Sequence, residues 1–281
     1  MWSSSFILQW LVLSTPCPDV RAGMRWIETS AGAVLVVVPG HGGDALVVGA
    51  GASRDAETVH AALVEHGVTR VGLWIMRSPA CNELGGFPRI VAGADGELST
   101  PDDLAVDLVW DTGSADSSCR AAYLYLAKSR EEPLSGSTWS AYDTNVVVWN
   151  MERSLSVCIR SPARRVFATV HGAGTDLEVV AAMSCGPADV LWVGGGSQHA
   201  TVSVSRSLLE ASDPRAIFLA AGSGGNGCEP SVRTLAGLRD RVAWLFSPRG
   251  VDPRGGCPSI AHVLDPDHTV WGGSVWLPRS P

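Results

Sequence analysis

The chain has 281 residues, of which 46% are hydrophobic and 17% are charged, and this balance excludes an intrinsically disordered protein. Its length fits one large domain or two small ones. The formal net charge of −7 disfavours direct nucleic-acid binding, because a protein that grips phosphates needs a basic surface.

Short apolar runs separated by glycine and proline predict many strands joined by turns. The first two predicted strands, 33–38 and 45–48, flank the segment 39–43 (PGHGG), which is typical of a hairpin. Apolar residues at helical spacing predict a helix over 55–67. A buried strand over 71–76 and a loop over 77–86 follow it.

The second half of the chain repeats this pattern. Further strands are predicted at 107–110, 146–149, 155–159, 166–170, 190–193, 216–221 and 242–246. Further helices are predicted at 118–128, 175–183, 204–210 and 232–239. The segments 262–264 and 269–276 predict a closing hairpin. Single strands and hairpins with interspersed helices indicate a layered α/β fold with mixed sheets.

The first 23 residues are interpreted as a leader or signal-like segment that precedes a domain over 24–281. Residues 6–13 (FILQWLVL) are apolar but too short to span a bilayer. They could form the core of a signal peptide, although no lysine or arginine precedes them. Export to the periplasm is therefore preferred over a cytoplasmic location, and a translation start at Met24 stays open as an alternative.

Seven cysteines are present, and none forms a CxxC pair, which disfavours a zinc ribbon or a thioredoxin-type motif. Cys158 and Cys185 lie in apolar runs, where we expect plain buried thiols. Four tryptophans fall on predicted strands, and burial on one strand face is the default expectation for them: Trp74, Trp110, Trp149 and Trp192.

Several motifs occur in an order that resembles the metallo-β-lactamase domain of ComEC-like DNA-uptake proteins. Residues 76–86 (MRSPACNELGG) resemble the signature LTHPHADHIGG, and residues 188–197 (ADVLWVGGGS) resemble ADVLKVPHHGS. Segments 26–38, 47–51 and 111–113 resemble that family's first strand, its LIDAG turn and its DSG segment. The resemblance covers about residues 25 to 280 and implies a four-layer αββα sandwich with two mixed β-sheets.

Most residues that would hold metal in that family are replaced here. Ser78, Ala80, Asn82 and Glu83 stand where the signature has His, His, Asp and His. Gly49 and Ala33 stand at Asp positions, and Gly195 and Gly196 replace two histidines. His171 stands at the position of the bridging Asp, and Glu229 at that of a later His.

In the family, clustered histidines and aspartates hold one or two metal ions that activate water for hydrolysis. Here the resemblance leaves only Glu83, His171 and Glu229 as residual ligands, and no cofactor is expected. One Zn or Mn ion on these three residues is the alternative. The preferred interpretation of two of them is structural, with Glu83 capping a helix that begins near Asn82 and His171 lying in a solvated turn.

We therefore expect a catalytically inactive member of this fold, a pseudoenzyme that acts as a binding or structural module for an unknown protein or small molecule. Its ligand surface would be the cleft formed by Ser78, Asn82, Glu83, His171, Gly195 and Glu229. A metal-dependent phosphodiesterase or nuclease with an atypical site is one alternative, and a detached DNA-uptake (competence) component is another.

Cys81 and Cys228 flank the replaced motifs, and the resemblance brings their loops to the same cleft. One hypothesis is that a disulfide between them replaces the metal as a cross-link. The alternative is two unrelated loop thiols.

Overall fold

The computed structural model describes residues 23–30, 32–39, 44–113, 118–127, 129–162, 164–172, 174–194, 204–220, 242–246, 269–271 and 275–278. Two mixed sheets, each of eight strands, account for the described strands. The predicted leader segment, the helix over 232–239 and the segment 262–264 lie outside the described residues. The leader and the domain boundary after it stay predictions.

The first sheet runs in the order β16-β1-β2-β3-β4-β6-β7, with β5 also beside β4. Its strands are β1 (Gly23–Thr29), β2 (Gly32–Val38), β3 (Ala45–Val48), β4 (Arg70–Ile75), β5 (Ala105–Val106), β6 (Val109–Trp110), β7 (Arg130–Glu131) and β16 (Val275–Pro278). Pairing is antiparallel from β16 to β3 and parallel from β3 onward.

The second sheet runs in sequence order from β8 to β15. Its strands are β8 (Thr138–Ala141), β9 (Thr144–Asn150), β10 (Leu155–Arg160), β11 (Arg165–Thr169), β12 (Val190–Val193), β13 (Ala216–Ala220), β14 (Val242–Phe246) and β15 (Thr269–Trp271). Its first half is antiparallel, and pairing becomes parallel from β11 onward.

The helices lie on the outer faces of the two sheets. They are α1 (Ala56–Glu65), α2 (Cys81–Leu84), α3 (Phe87–Val91), α4 (Arg120–Leu126), α5 (Asp176–Cys185) and α6 (Arg206–Ser212), and a 3-10 turn at Ser53–Asp55 leads into α1. Among the described residues no helix is both long and apolar enough to cross a membrane.

Three hydrophobic clusters separate four layers. The first lies between the sheets and includes Trp26, Leu46, Ile75, Val157 and Trp192. The second joins the outer face of the first sheet to α1, α3 and α4, and the third joins the outer face of the second sheet to α5 and α6. Strands that bury side chains on both faces need helices outside as well as a partner sheet inside. The predicted αββα sandwich with two mixed sheets is therefore confirmed.

The sequence-based elements are wrong in three places. Segment 26–38, expected as one strand, lies in the β1–β2 hairpin, where Thr29 pairs with Gly32 and Gly32 has a φ of +133° that favours glycine. The closing hairpin is wrong as well, because β15 joins the second sheet and β16 joins the first. The loop over 77–86 contains the short helix α2.

Candidate functional site

The signature-like segment follows β4, a central strand of the first sheet whose residues Val71 to Ile75 are buried. Met76 continues the strand direction through a 2.8 Å hydrogen bond from its N–H to the Trp110 carbonyl. One residue later, the Arg77 carbonyl accepts a 2.7 Å hydrogen bond from the Leu155 N–H of β10. Arg77 therefore lies where the first sheet meets the second.

Arg77 and Glu83 form a buried ion pair at this junction. The Arg77 Nε donates to Glu83 Oε1 over 3.2 Å, and the Arg77 backbone N–H donates to the same oxygen at 3.2 Å. The side chains are 0% and 2% exposed, respectively. A pair so enclosed loses hydration on both charges, and its attraction must offset that cost. The start of α2 has no side-chain cap hydrogen bond, so the interpretation of Glu83 as a helix cap is wrong.

Burial acts on the protonation of both partners. It raises the pKa of the Glu83 carboxyl, against the opposing effect of the Arg77 charge. It also lowers the pKa of Arg77, again against the attraction of Glu83. Loss of hydration is therefore the dominant influence at the pair.

The second sheet supplies a flat surface for the guanidinium. The Arg77 Cζ lies 3.7 Å from the ring centroid of Trp192 on β12, a distance at which a cation is attracted to the face of an indole ring. Trp192 is fully buried. One face of the guanidinium is therefore covered by Trp192, and its Nε is engaged by Glu83.

Gly49 explains how the Glu83 carboxylate fits. A Cβ at Gly49 would lie 3.2 Å from Glu83 Oε1 and 3.5 Å from Oε2, and Gly49 has a φ of +78°. Its carbonyl accepts a 2.8 Å hydrogen bond from the Trp74 indole. The space beside Gly49, where the resembling family has an aspartate, is thus taken up by the Glu83 carboxylate.

The other expected cleft residues are placed as follows. Ser78 is buried, and its Oγ accepts a hydrogen bond from the Ala80 N–H at 3.3 Å. Asn82 is buried too, and its Oδ1 has no partner among the described residues. Gly195 and Glu229 lie outside the described residues, so their part in the cleft stays a prediction.

His171 is exposed in the turn after β11, in line with the expected solvated turn. A neighbouring carboxylate, Glu178 of α5, holds this turn in shape. It accepts hydrogen bonds from the N–H groups of Gly172, Gly174 and Thr175 and from the Thr169 hydroxyl. The turn is therefore held in shape by the buried Glu178 carboxylate.

Two disulfides are formed among the described cysteines. Cys81 at the start of α2 is joined to Cys119, which precedes α4, and the two Cα atoms are 5.6 Å apart. The hypothesis of a Cys81–Cys228 disulfide is therefore wrong, since one sulfur forms one such bond. Cys228 lies outside the described residues. Cys158 and Cys185 are buried as expected, but they form a disulfide between β10 and α5 and are not free thiols.

Asp111, the first residue of the DSG-like segment, has a structural environment. Its Oδ2 accepts a 2.8 Å hydrogen bond from the Tyr123 hydroxyl and pairs with the Arg130 guanidinium, while its Oδ1 accepts from the Gly113 N–H at 2.8 Å. Burial raises the pKa of Tyr123 further above its ordinary value. The carboxylate thereby ties β6 to α4 and β7.

The described residues of the segment 76–86 fit a catalytic metal poorly. Ala80 offers no donor atom, and Glu83 already binds a cation of this chain. Within the described part of the chain, no three His, Cys, Asp or Glu side chains converge in a group that could hold a metal ion. Arg77 is the residue that sequence reasoning missed. A charged residue between a buried strand and Pro79 was the available signal, because such a position is seldom left unpaired.

Comparison with known proteins shows the fold. No protein-family model and no curated protein matches the sequence. Among solved structures, the metallo-β-lactamase fold protein YhfI from Bacillus subtilis matches with a TM-score of 0.50 and 10% identity, over 90% of this chain and 99% of that one. CmlA, a diiron β-hydroxylase from Streptomyces venezuelae, matches at 0.54 and 13% identity, over 92% of this chain and 54% of that one. The chain therefore has the metallo-β-lactamase fold.

Proposed function

We propose that this protein is a catalytically inactive form of the metallo-β-lactamase fold that serves as a binding or structural module. The observation that carries the proposal is the buried Arg77–Glu83 ion pair in the segment that resembles the metal-binding signature. Glu83 stands at a ligand position of that signature, and the cation on its carboxylate is the guanidinium of this chain.

The electrostatics support the same proposal. A divalent ion on Glu83 would have to displace Arg77 from the carboxylate or lie close to a like charge, which is costly where water is excluded. Burial lowers the pKa of Arg77, but arginine in proteins keeps its charge near neutral pH because its ordinary pKa is so far above 7. Zinc sites instead take neutral imidazole, thiolate or carboxylate ligands.

The surroundings of the pair also suit a scaffold. Trp192 covers the guanidinium, Gly49 leaves room for the carboxylate, and the Cys81–Cys119 disulfide fixes the start of the helix that carries Glu83. Each of these features stabilises the segment, and none of them needs a reacting group.

Hydrolysis assays test the proposal against a metal-dependent phosphodiesterase or nuclease. The substrates are bis-p-nitrophenyl phosphate and plasmid DNA, with zinc or manganese added, and the proteins are wild type, His171→Ala and Glu83→Gln. We expect wild type and both variants to show the same background rate. A metal-stimulated rate in wild type that falls in His171→Ala would overturn the proposal and identify a hydrolase.

A further inference from the structure

The guanidinium of Arg77 has an edge that the ion pair does not use. Its Nη1 and Nη2 are buried, and neither has a hydrogen-bond partner among the described residues. The indole Nε1 of Trp192, which lies against the same guanidinium, is a further buried donor without a described partner. Three buried nitrogen donors beside one another, Nη1 and Nη2 of Arg77 and Nε1 of Trp192, therefore have no described acceptor.

Unpaired buried N–H groups are costly. Each one loses its water without compensation, at about 1–3 kcal/mol and more on a charged group. Buried polar atoms in folded proteins almost always have a partner, so an exception needs a water or a ligand as its explanation. The partner required here must offer acceptors, because the Nη edge of arginine carries only donors.

The orientation of the guanidinium restricts that partner further. Glu83 occupies the Nε side, and Trp192 covers one face, so the Nη edge is what remains for a ligand. A planar pair of N–H groups matches the two oxygens of a carboxylate or phosphate, which bind such an edge through parallel hydrogen bonds.

We propose that the Nη edge of Arg77 binds the oxyanion of a small carboxylate or phosphate compound. This inference rests on the proposed function, since it names the class of ligand that an inactive protein of this fold would bind at Arg77. Trp192 positions the guanidinium, and Glu83 holds the Nε side so that the fork faces the ligand. The site is thereby an anion site built on a fold whose signature resembles a cation site.

Calorimetric titration of the full chain with inorganic phosphate and, separately, with acetate tests this inference. The protein is first dialysed against a chelator, and sodium chloride keeps the ionic strength constant. We expect saturable binding of at least one probe at one site per chain, and the preferred probe identifies the phosphate or carboxylate class. Arg77→Lys keeps the charge but loses the planar fork, so we expect its binding to be about tenfold weaker or more.

The exposed Arg206 provides a matched control, because Arg206→Gln removes one positive charge far out in solvent. We expect this variant to bind as wild type does. If Arg77→Lys fails to fold, the double variant Arg77→Met with Glu83→Gln serves as the second test. It removes both charges together and so leaves no unpaired charge in the interior. We expect that this double variant does not bind the probe.

The outcomes separate the two proposals. No saturable binding by metal-free wild type would overturn the anion site and leave the proposed function standing. Binding by Arg77→Lys and by the double variant that is as tight as binding by wild type would do the same. Binding that appears only when zinc or manganese is restored would overturn both.

Discussion

Disruption of the Arg77–Glu83 pair is expected to cost far more than its one salt-bridge contact suggests. The side chains are 0% and 2% exposed, so removal of either partner leaves the other charge buried and unpaired. The cost of that situation is about 3–5 kcal/mol. We expect Arg77→Met and Glu83→Gln each to lower the free energy of unfolding by this amount, or Tm by about 6–20 °C at the usual scaling for a chain of this size.

The double variant separates an ion-pair effect from a packing effect. Replacement of both charges by neutral side chains of similar volume is often neutral or stabilising, so the double variant should be more stable than either single variant. Urea unfolding at neutral pH gives the coupling energy of the cycle. The exposed i,i+4 pair Arg206–Glu210 is the control, and its cycle should give only about 0.3–0.5 kcal/mol.

Two results would refute this reasoning. Single variants within about 0.5 kcal/mol of wild type, the range of ordinary surface substitutions, would mean that the two charges are hydrated and do not depend on each other. Additive losses in the double variant would mean that each residue acts through its own packing.

Further predictions concern Gly49 and the cysteines. Gly49→Ala should lower the free energy of unfolding by about 1–3 kcal/mol because of the positive φ at this position. Gly49→Asp should lower it more, because the new carboxylate would meet Glu83. Thermal unfolding in which Gly49→Asp is more stable than Gly49→Ala would refute this contact. Peptide mapping without reductant should recover Cys81–Cys119 and Cys158–Cys185 as linked peptides, and free thiols at all four positions would contradict the pairing. Loss of the Cys81–Cys119 disulfide should lower the free energy of unfolding by about 4 kcal/mol in the chain-entropy model.

The layers of the fold were predictable from sequence because buried strands and turn residues leave local patterns. Strand β12 and helix α5, for example, follow from an apolar run and from helical spacing with a capping threonine. The closing strands were not predictable in this way. Whether 269–278 forms a hairpin or crosses between the sheets depends on which sheet edges are open, and that is a property of the whole fold.

The candidate site was only partly predictable for the same reason. The alignment of 76–86 with a metal-binding signature identified Glu83 and Asn82, and the absence of donor atoms at Ala80 is plain from the sequence. Arg77 was missed because the signature has no ligand there, and only the arrangement of the two sheets brings its guanidinium onto Trp192. The pairing of Cys81 with Cys119 likewise depends on the approach of α2 to α4 and not on spacing along the chain.

The central claim is that the Arg77 guanidinium takes the place of a metal cation at Glu83. The metal content of the protein tests this claim most directly. The full chain, purified without chelator and then dialysed with zinc or manganese and freed of excess ions, is analysed by inductively coupled plasma mass spectrometry. Wild type and His171→Ala are both expected to retain no stoichiometric metal. A stoichiometric ion in wild type that is lost in Glu83→Gln or His171→Ala would contradict the claim.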